Sequence, residues 1–167
     1  LHPQRILQQV GNKFLVVAPP FSPMTTEQID RSFDLPYTRL PHPKYKGKRI
    51  PAYEMIKFSV CLHRGCFGGC NFCAIQLHQG RRVTSRSADS IVEEAERMTH
   101  EPGFKGYIHD VGGPTANFRR TSCDAQLVRG TCRGKPCLSP EPCAHLVADH
   151  SDYLQLLREL RALPGVK

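Results

Sequence analysis

The chain has 167 residues, of which 40% are hydrophobic and 23% charged, and this composition is typical of one modest globular domain with its own core. It contains no apolar run near the roughly 18 residues of a membrane-spanning helix and no secretory signal pattern at its start, so we expect a cytoplasmic protein without a membrane partner. The net charge of +8 admits a nucleic-acid partner, but the basic residues are scattered, which favours an ordinary solvated surface.

The first 50 residues predict an extended segment that continues from an upstream region and lies on another surface. NKFLVVAPP (12–20) favours a short strand that ends at its two prolines. Further prolines recur as far as residue 51 and prevent long helices. TTEQIDRSF (25–33) indicates one or two helical turns, with Thr25 or Thr26 as the N-cap.

Residues 51–167 predict strands that alternate with helices. MIKFSVCL (55–62) and KGYIHDVGG (105–113) favour strands, and SADSIVEEAERMTH (87–100) and SDYLQLLRELRAL (151–163) predict amphipathic helices. This order predicts an α/β fold in which parallel strands are joined by right-handed crossovers. In such sheets the chemistry lies at the carboxyl ends of the strands.

The helix ends and faces are also predicted. Ser87 is the expected cap of the first helix, and three apolar side chains share one face: Ile91, Ala95 and Met98. Ser151 or Asp152 is the expected cap of the second helix. The chain begins with Leu rather than Met and stops just after this helix, so we expect a fragment of a longer protein.

Three cysteines lie within eight residues, directly after the first of these strands. Cys66, Cys70 and Cys73 form the pattern C-x3-C-x2-C in RGCFGGCNFCA (64–74). Thiolates are preferred by zinc, copper(I) and iron–sulfur clusters. A [4Fe–4S] cluster usually takes four cysteines, so three leave one metal position open, as a reactive site requires. The spacing alone also fits half of a split zinc site that His63 or His78 completes.

The residues around these cysteines extend the pattern. Gly65, Gly68 and Gly69 allow the backbone to wrap closely around a bulky cluster. Phe72 precedes the last cysteine, where it can shield the cluster or lie against a bound ligand. Cys61, within the strand, is expected to be a small buried apolar residue.

C-x3-C-x2-C with an aromatic residue before the third cysteine, after a strand, resembles the signature of radical S-adenosylmethionine (SAM) enzymes. Together with AYEMIKFSV, SRSADSIV and GYIHDVGGPTANF, it resembles the YgiQ-like radical SAM proteins over roughly residues 45–167. Those proteins are several hundred residues long. The resemblance implies the N-terminal part of a partial (β/α) barrel, with residues 1–50 as the extended segment, 51–167 as the first part of the core and 122–150 as a cysteine-rich insertion.

The resemblance implies that each of the three cysteines holds one iron of a [4Fe–4S] cluster. The fourth iron would take the amino and carboxylate groups of SAM. A reductant such as flavodoxin or ferredoxin would supply an electron, the carbon–sulfur bond of SAM would break, and the resulting 5′-deoxyadenosyl radical would abstract hydrogen from a substrate that these residues do not identify. The protein's part is to hold cluster and SAM in register.

The second strand ends in residues that the same resemblance implies at the SAM site. Gly112, Gly113 and Pro114 stand where the family carries a Gly-Gly-Glu-like turn, whose backbone carbonyls bind the amino group of SAM. Pro114 replaces the usual acidic residue, and the inferred backbone contact is expected to survive this change. Asn117 and Phe72 are further candidates for contact with SAM.

A second group of cysteines lies in the predicted insertion, at Cys123, Cys132, Cys137 and Cys143. Their spacing matches neither a ferredoxin nor a common zinc knuckle. The segment has too few apolar residues to fold alone, so we expect a second iron–sulfur cluster or zinc to stabilise it, with His145 and His150 as spare ligands. The alternative is a loop of thiols without metal.

Three arginines follow the first cysteine group, namely Arg81, Arg82 and Arg86. They are expected to face solvent, or else to contact the SAM carboxylate or a substrate anion. The rival to the enzyme is a zinc-binding module that interacts with nucleic acid and has no catalytic activity. Because a barrel needs more strands than this chain supplies, we also expect marginal stability, self-association and no turnover from the chain alone.

Overall fold

The structure, a computed structural model, describes residues 4–19, 21–113, 116–132 and 134–167. It begins with an antiparallel hairpin of β1 (Ile6–Val10) and β2 (Lys13–Val17), in which Ile6 pairs with Val17. The sequence predicts β2 but misses β1. Every residue of this hairpin is exposed.

Helix α1 (Thr26–Phe33) follows the hairpin, and the residue before it caps its first turn. Thr25 is the N-cap, as one of the two predicted choices, and it forms a capping box with Gln28. The helix contacts the core of the chain: the Thr26 hydroxyl donates to the Ser85 carbonyl at 3.1 Å, and the Ser87 N–H donates to the Asp30 carboxylate at 3.1 Å. The N-terminal segment therefore lies against the region that follows the cysteine loop.

The predicted strand over 55–62 is much shorter in the structure. A 3-10 turn (Pro43–Tyr45) and helix α2 (Pro51–Ile56) precede it, so Met55 and Ile56 are helical. Proline at the first position of α2 has its φ set for a helix and needs no hydrogen-bond partner for its nitrogen, which explains the early start. The strand itself, β3, covers Ser59–Cys61.

The two central strands are parallel, as the alternating order predicts. Strand β3 pairs with β6 (Asp110–Gly112), with Ser59 opposite Asp110 and Cys61 opposite Gly112. The prediction of a strand over 105–113 is correct only for its last part. Next to this pair, β4 (His63–Arg64) and β5 (Thr84–Ser85) form a short antiparallel pair, with α3 (Ile75–Gln79) between them.

Two long helices cover the parallel pair. Helix α4 (Ala88–Thr99) is capped by Ser87 as predicted, and α6 (Ser151–Ala162) covers almost all of the second predicted helix. The hydrophobic core includes the predicted apolar face of α4. Its buried members are Phe58, Val60, Leu62, Ile91, Ala95, Met98, Leu156 and Leu160. Full burial of one such side chain contributes about 2 kcal/mol, so this layer accounts for much of the stability.

The start of α6 differs from the prediction. His150 is the N-cap and makes no side-chain capping bond. Instead, the Asp149 carboxylate accepts the N–H of Ser151 at 2.9 Å and its hydroxyl at 2.8 Å. Asp152 pairs with the buried guanidinium of Arg119 at 2.6 Å, which takes it away from capping.

The predicted insertion over 122–150 contains one short helix, α5 (Asp124–Arg129), and one bridge between Ser122 and Val147. The fold is mixed α/β, and the described strands do not close into a barrel. Within the residues that the structure describes, no helix is both long and apolar enough to cross a membrane.

Candidate metal and cofactor site

The cysteine loop, residues 65–74, leaves β4 and enters α3. Backbone contacts close it at its base: the Gly65 N–H donates to the Gln79 side chain and the Cys66 N–H donates to the Gly80 carbonyl, each at 3.1 Å. Gly65 has φ +93°, and a Cβ there would lie 2.0 Å from the Arg82 carbonyl oxygen. Only glycine fits this crossing of two backbones.

Two of the three sulfur atoms converge on the turn at Gly68. A Cβ on Gly68 would lie 3.2 Å from Cys66 Sγ and 3.5 Å from Cys70 Sγ. The Gly68 N–H donates to Cys66 Sγ at 3.2 Å. Hydrogen bonds to sulfur tune the potential of iron–sulfur clusters. The loop therefore fits a group that is bound by thiolates.

The three cysteines differ in exposure. Cys66 is buried, Cys73 is half-buried and Cys70 is exposed, and none of the eight cysteines forms a disulfide. Within the described ranges, no three Cys, His, Asp or Glu side chains are placed to hold one metal ion. In a [4Fe–4S] cluster each thiolate binds a different iron, so the sulfur atoms need not meet at one ion. The assignment of Cys66, Cys70 and Cys73 to a cluster stays a prediction.

The glycine turn is the segment that begins at Gly112 and Gly113 and ends at Phe118, of which residues 114 and 115 are not described. It follows the carboxyl end of the parallel pair. Its Phe118 ring lies 5.7 Å from the ring of Phe67 in the cysteine loop. The Gly112 carbonyl accepts the Leu62 N–H at 2.8 Å, so one of its lone pairs already has a partner. Pro114, the next predicted contact, lies outside the described residues. The Asn117 side-chain oxygen accepts the Arg119 N–H at 3.1 Å, which makes it a local cap of this turn. Phe72 is 93% exposed.

His63 connects the glycine turn to the strand that leads into the cysteine loop. Its side chain is buried, with only 1% of the residue exposed, and the ring lies against Gly113 and the backbone of residues 116–118. Burial lowers the pKa of His63, and a hydrogen bond to the Ala116 carbonyl opposes that effect. The neutral imidazole is therefore the favoured form.

Arg86 is a correction to the expectation that the three arginines face solvent. Its guanidinium is completely buried, pairs with Glu94, donates to Ser90 and lies over the Phe33 ring at 4.0 Å. Glu94 also pairs with Arg39 at 2.5 Å. Arg86 thus joins α1 to α4. The sequence gives no local signal for this role, because the partners lie up to 53 positions away.

Arg81 also has a structural role that the sequence does not predict. Its guanidinium donates to the Cys132 carbonyl at 3.0 Å, to the Lys135 carbonyl at 2.7 Å and to Cys137 Sγ at 3.4 Å. It therefore fastens the cysteine-rich insertion to the residues just after α3. Arg82, by contrast, is exposed as expected.

The second cysteine group is only partly gathered. Cys123 and Cys137 are buried, Cys143 is half-buried and Cys132 is exposed. The Cys143 N–H donates to the Cys137 carbonyl at 2.8 Å, which brings these two residues together. The spare ligand candidates, His145 and His150, are both exposed. A second metal site in this segment stays a prediction.

Comparison with known proteins gives two kinds of match. Residues 1–59 match the family model described as Radical SAM N-terminal. The chain is also similar to three proteins named UPF0313 protein: from Bacteroides thetaiotaomicron, 52% identical over 163 residues (98% of this chain, 26% of the relative); from Porphyromonas gingivalis, 54% over 164 (98% and 26%); and from Clostridium perfringens, 52% over 163 (97% and 25%). No solved structure matches the chain.

The chain spans about a quarter of the length of these curated relatives. The match to that family model and to these relatives supports a likeness to the radical SAM family. Such a family implies a [4Fe–4S] cluster and SAM in general. The narrower YgiQ-like assignment is not part of what these matches establish.

Proposed function

We propose that this chain is the first part of the core of a YgiQ-like radical SAM enzyme, and that Cys66, Cys70 and Cys73 hold its [4Fe–4S] cluster. One observation carries the proposal: the Cys66 and Cys70 sulfur atoms flank Gly68, whose N–H donates to Cys66, at the carboxyl end of a parallel strand pair. Strand ends of this kind are where α/β folds place their chemistry.

The residues of the chain have distinct roles in this proposal. A bound cluster, given one electron by a reductant such as flavodoxin or ferredoxin, would supply reductive cleavage of the SAM carbon–sulfur bond for hydrogen abstraction from a substrate. The Gly68 N–H donates to the Cys66 sulfur, where it would tune the potential of a bound cluster. The carbonyls of Gly112 and Gly113 orient the amino group of SAM, and Asn117 and Pro114 are further candidates for contact with it. Phe72 is exposed and available to cover the bound groups.

The test uses the full-length protein, reconstituted with iron and sulfide without oxygen. We expect about four iron atoms per cluster, absorption in the visible and release of 5′-deoxyadenosine from SAM after reduction. Alanine at Cys66, Cys70 or Cys73 should abolish SAM cleavage and lower the iron content by about four atoms per chain. Cys61→Ala is the matched control, because its half-buried thiol lies outside the triplet. Zinc without iron in oxygen-free protein would contradict the proposal and favour the non-enzymatic zinc module.

We further propose that the cysteine-rich insertion holds a second metal group. The burial of Cys123 and Cys137 and the backbone contact between Cys137 and Cys143 support it. Removing Cys137 should then lower the metal content below that of the wild type while the first cluster and its SAM cleavage remain. Equal metal content in wild type and Cys137→Ala would exclude the second group.

A further inference from the structure

His63 occupies the space between the cysteine loop and the glycine turn. It is the first residue of β4, three positions before Cys66, and its neighbour across the strand pair is Ser85. The ring points away from that ladder and towards Gly113, because a Cβ on Gly113 would lie 1.9 Å from Nε2 and 2.1 Å from Cε1. The imidazole therefore lies directly on the backbone of the glycine turn.

Hydrogen bonds join the same ring to the far side of the turn. The Phe118 N–H donates to Nε2 at 3.1 Å in the tautomer that carries its proton on Nδ1. In the other tautomer Nε2 donates to the Ala116 carbonyl, also at 3.1 Å. Either neutral form of His63 therefore finds a backbone partner in this turn, and the contact does not depend on one placement of the proton.

An aromatic contact runs beside this link. Phe67, which follows Cys66 and is 1% exposed, meets Phe118 edge to face with ring centroids 5.7 Å apart. Phe118 also contacts the His63 ring, at 6.3 Å. His63, three positions before Cys66, and Phe67, directly after Cys66, therefore both contact the glycine turn.

We propose that His63 is a positioning residue that fixes the glycine turn at one distance from the cysteine loop, and so sets where the amino acid part of SAM lies relative to the open iron. This inference rests on the proposed function. It assigns His63 no contact with SAM or metal. It also explains why residue 113 is glycine, since any side chain there would displace the imidazole.

The first experiment needs no cofactor. Hydrogen exchange of the Phe118 amide is measured in the full-length protein before reconstitution, in wild type, His63→Leu and His63→Gln. His63→Leu keeps apolar bulk but cannot accept the N–H, so we expect about tenfold faster exchange, the effect of one lost hydrogen bond. His63→Gln places an amide oxygen within reach and should restore most of the protection. Unchanged exchange in His63→Leu would overturn the proposal.

The second experiment, in the reconstituted protein, distinguishes a change in the position of SAM from a loss of the cluster. We expect His63→Leu to retain its iron, to raise the KM for SAM about tenfold and to weaken the change that SAM causes in the electron paramagnetic resonance spectrum of the reduced cluster. The control is His109→Leu, an exposed histidine just before the amino end of β6, whose Nδ1 contacts the Met55 carbonyl. It should behave as wild type.

Several outcomes count against the inference. Loss of iron in His63→Leu would make the residue part of the cluster's own support, and wild-type KM and spectrum would show that it positions nothing. If His63→Leu fails to fold, Gly113→Ala perturbs the same contact from the other side, and failure of both would make the contact a folding requirement only. A wild type that releases no 5′-deoxyadenosine refutes the proposed function itself, which is a separate result.

Discussion

The chain holds its two groups of cysteines in different ways. The cysteine loop is fixed by backbone: Gly65 crosses the Arg82 carbonyl, the Cys66 N–H donates to Gly80, and Gly68 donates to a sulfur. In the part of the chain that the structure describes, the cysteine-rich insertion is fastened by the Arg81 side chain and by the bridge between Ser122 and Val147. Close backbone contacts in the cysteine loop require glycine, whereas contacts made by one side chain are lost when that side chain is replaced.

The largest effect should come from the crossing at the base of the cysteine loop. Gly65→Ala brings a Cβ to 2.0 Å from the Arg82 carbonyl oxygen at a φ of +93°, so we expect a loss of about 3 kcal/mol and failure to bind iron. Gly103→Ala is the control, because Gly103 has a similar φ of +86° but open space around it. It should cost about 1 kcal/mol and retain iron.

Chemical denaturation and iron analysis of the two full-length variants give the comparison. Equal losses in both would show that positive φ alone matters, and that the backbone crossing does not hold the loop.

An intermediate effect is expected at the fastening of the insertion. Arg81→Met removes three hydrogen bonds to residues 132–137, and should reduce the local stability of that segment by about 1–2 kcal/mol. Hydrogen exchange should become faster over 132–143 and stay unchanged in the cysteine loop. Arg82→Met is the matched control, since the Arg82 side chain is exposed. Faster exchange in both regions would mean that Arg81 supports the loop as well.

The smallest effect concerns acid. The pKa of His63 is lowered by burial, with Arg64 and Arg119 adding to the shift, so the unfolded chain takes up a proton more readily than the folded one. The stability that depends on neutral His63 is therefore complete above its ordinary pKa of about 6.5 and is lost as pH falls towards the lower folded value.

The measurement is hydrogen exchange at pH 7.5 and pH 5.5, corrected for intrinsic rates. Residues 116–118 should lose protection at the lower pH in wild type but not in His63→Gln, while residues 122–147 should not change in either protein. The same pH response in His63→Gln would attribute the effect to another group.

The sequence predicts the parts of the fold that depend on local pattern. Helix α4 with its Ser87 cap, the Thr25 cap of α1 and the parallel pairing of the two central strands follow from periodicity and element order. The strands are shorter than predicted, because Pro51 starts a helix that takes up part of the first apolar run.

The contacts that assemble the site could not be predicted in this way. His63 meets Phe118 across 55 positions, and Arg81 meets Cys137 across 56. Neither pair has a spacing or composition that marks it in the sequence. The three cysteines lie within eight residues and the two glycines are consecutive, so each group is visible in the sequence. The residues that hold these groups in place are distant in the chain and become neighbours only in the fold.

Glu94 has a consequence for how the protein can be divided. Its carboxylate takes one guanidinium from Arg39, in the N-terminal segment, and another from Arg86, in the core. A truncated protein that starts at residue 51 would lose Arg39, the Asp30 carboxylate that accepts the Ser87 N–H, and the Phe33 ring that lies over Arg86. Expression trials that cut at the apparent junction should therefore give aggregated material, and crystallisation work should keep both portions in one polypeptide.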